Sequence, residues 1–137
     1  VIASGRIDDV IAQVTSGANV GTWLRTGKLP QAARKQWLAS MVQSQGSVVL
    51  DEGAVRVLRD SGRSLLPVGV CGVQGSFERG DMVSCRDSEG REIARGLVNY
   101  DAGETRRIMG SASKEIEGIL GYAADEELIH RDNLVLV

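Results

Sequence analysis

The chain has 137 residues, 42% hydrophobic and 25% charged, with a net charge of −2, enough for one domain or for one small domain plus a fragment of another. No apolar run approaches ~20 residues, which excludes a membrane-spanning helix. The charge is uneven: residues 1–44 balance at +3 and residues 45–137 at −5, so the longer part lacks the basic footprint of a non-specific phosphate binder. Val1 stands where a start codon would place Met, and no basic-then-apolar leader follows it; the expectation is a chain that begins inside a longer protein.

Taken in order, Val1-Ile2-Ala3 reads as the end of a buried strand. Ile7, Val10, Ile11 and Val14 then form one apolar stripe at helical spacing, with Ser4 as N-cap and Gly17 as the stop. Val20 to Leu24 reads as a short strand. A strand, helix, strand succession is an α/β signature, and three elements cannot cover both faces of a sheet, so this part is expected to be a remnant of a larger α/β domain. Residues 25–29 read as a polar loop. Pro30 suits the first position of a helix running to about Met41, with Trp37 and Met41 one turn apart on a shared surface. Ser44-Gln45-Gly46 reads as a polar hinge, placing the domain boundary within Val42 to Gly46 and dividing the chain into 1–44 and 45–137.

Ser47 to Leu50 is a strand candidate, and Asp51 is a natural N-cap for a helix from Glu52 to Ser61 with Ala54, Val55, Val57 and Leu58 on its apolar side and Arg56 paired with Asp60. Gly62 suits a left-handed C-cap. In Leu65-Leu66-Pro67-Val68, both leucines are expected to be buried, and Pro67, which cannot donate a ladder hydrogen bond, places its strand at an edge or bulge. Val70 to Gly75 and Met82 to Arg86 read as strands about a turn at Phe77 to Asp81. Asp87 to Gly90 is a second turn, and Arg91 to Tyr100 a strand with a bulge or bend at Gly96. Asp101 with Glu104 resembles a capping box, Ser113 is expected to cap a further helix that buries Ile116, Ile119 and Leu120 and ends at Gly121, and Leu128 to His130 and Leu134 to Val137 close the chain as strands. Short strands between glycine turns with a few short helices describe an α+β pseudo-barrel.

Cys71 and Cys85 belong to no CxxC motif and are expected to be two small buried side chains in a reducing compartment. His130 is the sole histidine, which rules out a site needing two, and its distance in sequence argues against Ser64 as a nucleophile. Arg106-Arg107 is expected to complement a helix dipole, and Arg34-Lys35 to be structural.

Several stretches together resemble a known family: Asp51-Glu52-Gly53-Ala54 leading to Ser64-Leu65-Leu66-Pro67-Val68-Gly69-Val70, then Gly75-Ser76-Phe77-Glu78-Arg79-Gly80-Asp81, Ala94 to Tyr100, Arg106 to Gly110 and Ile119 to Tyr122. They resemble a PUA domain of the type found at the C-terminus of the bacterial glutamate 5-kinase family. Ile2 to Gly5, Gly21-Thr22 and Arg34 to Trp37 are similar to the end of that family's amino-acid-kinase domain. The resemblance implies phosphoryl transfer from ATP to the side-chain carboxylate of L-glutamate in proline biosynthesis, with ATP and Mg2+ as cofactors of the whole enzyme and a cytoplasmic setting. The upstream kinase domain is the implied partner, and homo-oligomerisation is open. Such chemistry needs a phosphate-cradling glycine loop with its lysine. This chain has no GxxxxGK[ST], so it is expected to be non-catalytic alone, with no catalytic or metal-ligating residue of its own, and to serve regulation, assembly or packing. PUA domains elsewhere bind RNA, and the resemblance carries that surface onto Arg56, Arg59, Gly62, Arg63 and Ser64. Against it stand the −5 balance and the bland reading of a helix cap beside arginines paired with Asp60 and Glu52. A pure folding and stability unit is the third alternative.

Overall fold

The computed structural model describes residues 1–24, 27, 30–40 and 43–137, with the backbone alone at 30–32. The expected 25–29 loop, the Trp37–Met41 surface and the start of the hinge at Val42 therefore lie wholly or partly outside the described residues.

The elements are α1 (Val10–Thr15), α2 (Pro30–Ser40), β1 (Gly46–Leu50), α3 (Glu52–Ser61), β2 (Val70–Gly75), β3 (Met82–Arg86), β4 (Glu92–Leu97), α4 (Ala102–Ile108), α5 (Ile116–Leu120) and β5 (Leu134–Leu136), with 3-10 turns at 67–69, 113–115 and 131–133. The strands form one five-stranded sheet in the order β2-β1-β3-β4-β5. Only β1 and β3 run parallel; the other three pairings are antiparallel. The architecture is α+β, as the strand and turn pattern predicts.

The sheet curls toward closure. Leu65, which leads into one edge strand β2, and Ile129, which leads into the opposite edge strand β5, form an isolated antiparallel bridge, with Leu65 N–H donating to Ile129 O at 2.9 Å and Ile129 N–H to Leu65 O at 3.1 Å. Joining the two edges in this way encloses one core, where Val48, Leu50, Leu58, Leu65, Val83, Tyr100 and Ile108 are all essentially inaccessible. Full burial of each such side chain stabilises by about 1.5–3 kcal/mol.

Local signals account for most element ends. Asp51 accepts from Ala54 N–H at 2.7 Å, and Gly62 ends the same helix at φ 55°, a left-handed value that side chains with a Cβ disfavour. Asp101 and Glu104 complete the capping box of α4. Where the structure departs from the sequence reading, long-range packing is the cause. Pro67 opens a 3-10 turn, so β2 starts only at Val70, and Leu66 is 40% exposed because neighbouring residues of an extended lead-in point to opposite faces. The register shift in β4 falls at Ile93, opposite the Cys85/Arg86 step. Gly96 is instead a close approach: a Cβ there would sit 2.6 Å from Ile129 Cγ2 and 2.8 Å from Asn133 O. Ala112, not Ser113, precedes the 113–115 turn, and the Ser113 hydroxyl donates to Glu126 O at 2.6 Å. Leu128 to His130 makes the single Leu65 bridge in place of a strand. Cys71 is exposed on β2 while Cys85 is buried, and both are free thiols.

The first 24 residues differ most from expectation. Ile2 meets Thr22 in one isolated bridge, α1 is confined to Val10–Thr15 and buries nothing, and its N-cap is Asp9 at φ 51°, the Ser4 hydroxyl accepting from Arg6 N–H instead. Ile2 is 64% and Ile11 77% exposed. In contrast α2 buries Leu38 completely and packs on β4, β5 and the 131–133 turn.

Candidate ligand surface around helix α3

Helix α3 leaves the carboxyl end of β1 through the Asp51 cap and returns to the sheet through Gly62. Leu58 is its buried anchor, with Ala54 and Val55 packed against the core beside it. At 3.6 residues per turn, the remaining side chains divide onto two flanks. The sequence-derived site is divided with them: Arg56 and Arg59 line a crevice on one flank, whereas Arg63 and Ser64 line clefts on the other.

On the first flank the crevice has a volume of about 250 Å3. Its far wall is the β3–β4 turn. There Arg91 Nε donates to Asp87 Oδ2 at 2.8 Å and Arg91 Nη2 pairs with Glu89 at 3.1 Å, while Asp87 Oδ1 accepts the backbone N–H groups of Glu89 at 3.0 Å and Arg91 at 2.9 Å. Burial acts to raise the Asp87 carboxyl, but the Arg91 side-chain and backbone hydrogen bonds, the Arg91 charge and the Glu89 N–H together hold it below the usual carboxylate range. The same contacts raise the Arg91 guanidinium above its ordinary value. The expected pairing of Arg56 with Asp60 or Glu52 is absent: no ion pair involves Arg56 or Arg59 among the described residues.

On the second flank a cleft of about 390 Å3 is lined by Val57, Leu66 and Val68 and by Arg63 and Ser64 at one end. It continues past Arg63 and Ser64 into an open groove bordered by Glu127, His130 and Arg131. Ser64 and His130, far apart in sequence, thus share a groove. They do not form a nucleophile–base pair: Ser64 Oγ accepts Arg131 N–H at 3.0 Å, and His130 Nδ1 accepts Asp132 N–H at 3.2 Å. Gly62 has no atom within 4 Å of where a Cβ would lie, and its N–H donates to Leu58 O at 3.3 Å. Its backbone donor therefore closes the helix rather than reaching outward. Arg106 and Arg107 do occupy the last turn of α4, and both are committed to carbonyls, Arg106 to Gly75 O at 2.7 Å and Arg107 to Ile119 O.

Sequence reasoning missed Val57, Leu66 and Val68 as cleft walls, and Asp87, Glu89 and Arg131 as neighbours of the arginines. The last three reach α3 through sheet pairing and the Leu65–Ile129 bridge, for which no local pattern exists. Among the described residues no three His, Cys, Asp or Glu side chains are grouped to hold a metal ion, and no helix is long and apolar enough to cross a membrane.

Comparison with known proteins decides the family. The PUA domain family matches residues 46–120, the span from β1 through α5. The chain belongs to the PUA domain family. The whole chain aligns with curated glutamate 5-kinases, at 58% identity over 137 residues in Nitrosococcus oceani and 60% over 137 residues in Nitrosospira multiformis. It spans little more than a third of their length, 36% and 37% respectively, corresponding to their C-terminal part. Among solved structures, a PUA domain from Aeropyrum pernix K1 in a tartrate complex is 25% identical with a TM-score of 0.47, covering 63% of this chain and 41% of that one.

Proposed function

We propose that this chain is the C-terminal region of a glutamate 5-kinase, the enzyme that transfers a phosphoryl group from ATP to L-glutamate, and that this region supports regulation, assembly or packing without performing the chemistry. The identity of 58–60% along the entire chain, including the residues before the PUA match, supports the family reading. The observation that carries the packing role is the exposure of Ile2 (64%), Ile11 (77%), Trp23 (50%) and Leu24 (69%) within the first 24 residues. Large apolar side chains left exposed within one segment suit a partner surface, and the partner is the upstream kinase domain.

The division at 1–44 and 45–137 belongs to this proposal. Helix α2 is the piece that joins the two units, because it packs on β4, β5 and the 131–133 turn and buries Leu38 completely. ATP and Mg2+ would be held upstream, in the part of the relatives' length that this chain does not span.

A glutamate-dependent hydroxamate assay tests the reading. The complete protein is expected to turn over, the 137-residue chain alone to be inactive, and removal of 45–137 from the complete protein to change proline inhibition or assembly state. Turnover by the chain alone at ordinary enzyme rates would overturn it. RNA contact is the second reading, favoured by Arg63 and Arg131 bordering one groove. A low-salt gel shift with structured RNA checks it, and micromolar binding lost in Arg63→Ala would support it.

A further inference from the structure

We infer that the crevice between α3 and the β3–β4 turn is a binding site for a small oxyanion, held by the guanidinium groups of Arg56 and Arg59. The proposal does not depend on the kinase reading. Strands β1 and β3 are the parallel pair of the sheet, so their carboxyl ends, Leu50 and Arg86, open toward the same side. The crevice lies there, with Leu50 at its floor, α3 as one wall and the turn after β3 as the other.

The crevice is lined by three cations, Arg56, Arg59 and Arg91, and three acids, Glu52, Asp87 and Glu89, and what distinguishes its two walls is how these groups are paired. Asp87 and Glu89 on the far wall are both held by Arg91, which bonds Asp87 at 2.8 Å and Glu89 at 3.1 Å. That leaves Arg56 and Arg59 on the near wall, with Glu52 as the one remaining acid lining the crevice. Neither guanidinium makes an ion pair or side-chain hydrogen bond among the described residues, and Glu52 makes no ion pair. Arg56 and Arg59 are three residues apart, so they stand on adjacent turns of one helix face. A planar guanidinium fork matches the oxygens of a carboxylate or phosphate, and Leu50, which lines the same crevice, is fully buried.

Size limits the ligand. At about 250 Å3 the crevice falls below the roughly 300–1,000 Å3 of sites that enclose drug-sized molecules. It suits inorganic phosphate or a small carboxylate, not a polyanion, which would also meet Glu52 and Glu89.

The test is a titration of the 15N-labelled 137-residue chain with sodium phosphate and, separately, sodium acetate, at ionic strength held constant with sodium chloride. The expected result is a saturable shift of amides within 50–59 and 87–91 with at least one of them. Saturation by phosphate alone identifies a phosphate site, and by acetate a carboxylate site. Arg56→Gln and Arg59→Gln, both exposed and therefore expected to fold, should each weaken binding about tenfold or more, while Arg63→Gln on the opposite flank leaves it unchanged. Shifts that never saturate, that persist in both glutamine variants, or that centre on Arg63 would overturn the proposal.

Discussion

The hydroxyl of Ser64 accepts the backbone N–H of Arg131 at 3.0 Å across a separation of 67 residues. It lies next to the Leu65–Ile129 bridge and fastens the lead-ins of the two edge strands to each other. Ser64→Ala is expected to cost about 0.5–1.5 kcal/mol, the usual net worth of one hydrogen bond, whereas Arg63→Ala, whose side chain is exposed and makes no ion pair among the described residues, should leave stability within about 0.5 kcal/mol. Urea unfolding of the two variants checks this. Equal effects would show that Ser64 does not tie the edges together.

Tyr100 is wholly buried, and its hydroxyl donates to Asp125 O while accepting the N–H groups of Ala124 at 3.1 Å and Asp125 at 3.0 Å. One phenol thus serves three backbone groups of the segment after α5. Tyr100→Phe keeps the ring and removes every partner, for an expected loss of about 1–3 kcal/mol. Amide hydrogen exchange should quicken at Ala124 and Asp125 before it does elsewhere; unchanged exchange there would contradict the assignment.

Acid should weaken the fold partly through the β3–β4 turn. The Asp87 carboxyl is lowered in the folded protein despite burial, by Arg91 and the Glu89 N–H, and Glu92 is lowered foremost by the Arg95 hydrogen bond, against some burial. A folded-state value below the unfolded carboxylate value of about 4 gives stability that is complete above that pH and disappears as pH falls through the folded-state value. Asp87→Asn should therefore be less stable than the parent at pH 7, with the gap narrowing below about pH 4. Denaturant curves at several pH values test this, and a gap constant down to pH 2 would refute it.

The two thiols should differ in reactivity. Cys85 is pushed up to about 12 by burial, with the Glu92 charge adding to it, so almost none is thiolate at neutral pH and reagents cannot reach it. Cys71 is exposed. A thiol-reactive dye should label one cysteine in the native protein and both in denaturant, with native labelling abolished in Cys71→Ser.

What could be read along the chain was whatever a few neighbouring residues decide. The Asp51 and Asp101 caps and the Gly62 stop depend on hydrogen bonds and φ values within one turn, and the strands from β1 to β4 show as short apolar, β-branched runs between turn residues, so their residues announce them. The family resemblance stood on the same stretches. The N-terminal stripe of Ile7, Val10, Ile11 and Val14 was legible too, yet it yielded only Val10–Thr15 as helix, because an apolar face specifies a long helix only where something packs against it.

By itself, then, the sequence determined an α+β domain, the helix ends at Asp51, Gly62, Asp101 and Gly121, its acidic charge and its family. Tertiary structure alone decided that Arg56 and Arg59 on α3 line one crevice while Arg63 and Ser64, beyond its Gly62 stop, line the cleft on the other flank. It also set Asp87, Glu89 and Arg91 opposite the first pair and Arg131 beside the second. The reason is physical: helix periodicity gives each side chain a direction, but what it faces depends on strands that pair across dozens of residues and on the Leu65–Ile129 closure, where the hydrogen bonds are backbone to backbone and leave no mark in side-chain order.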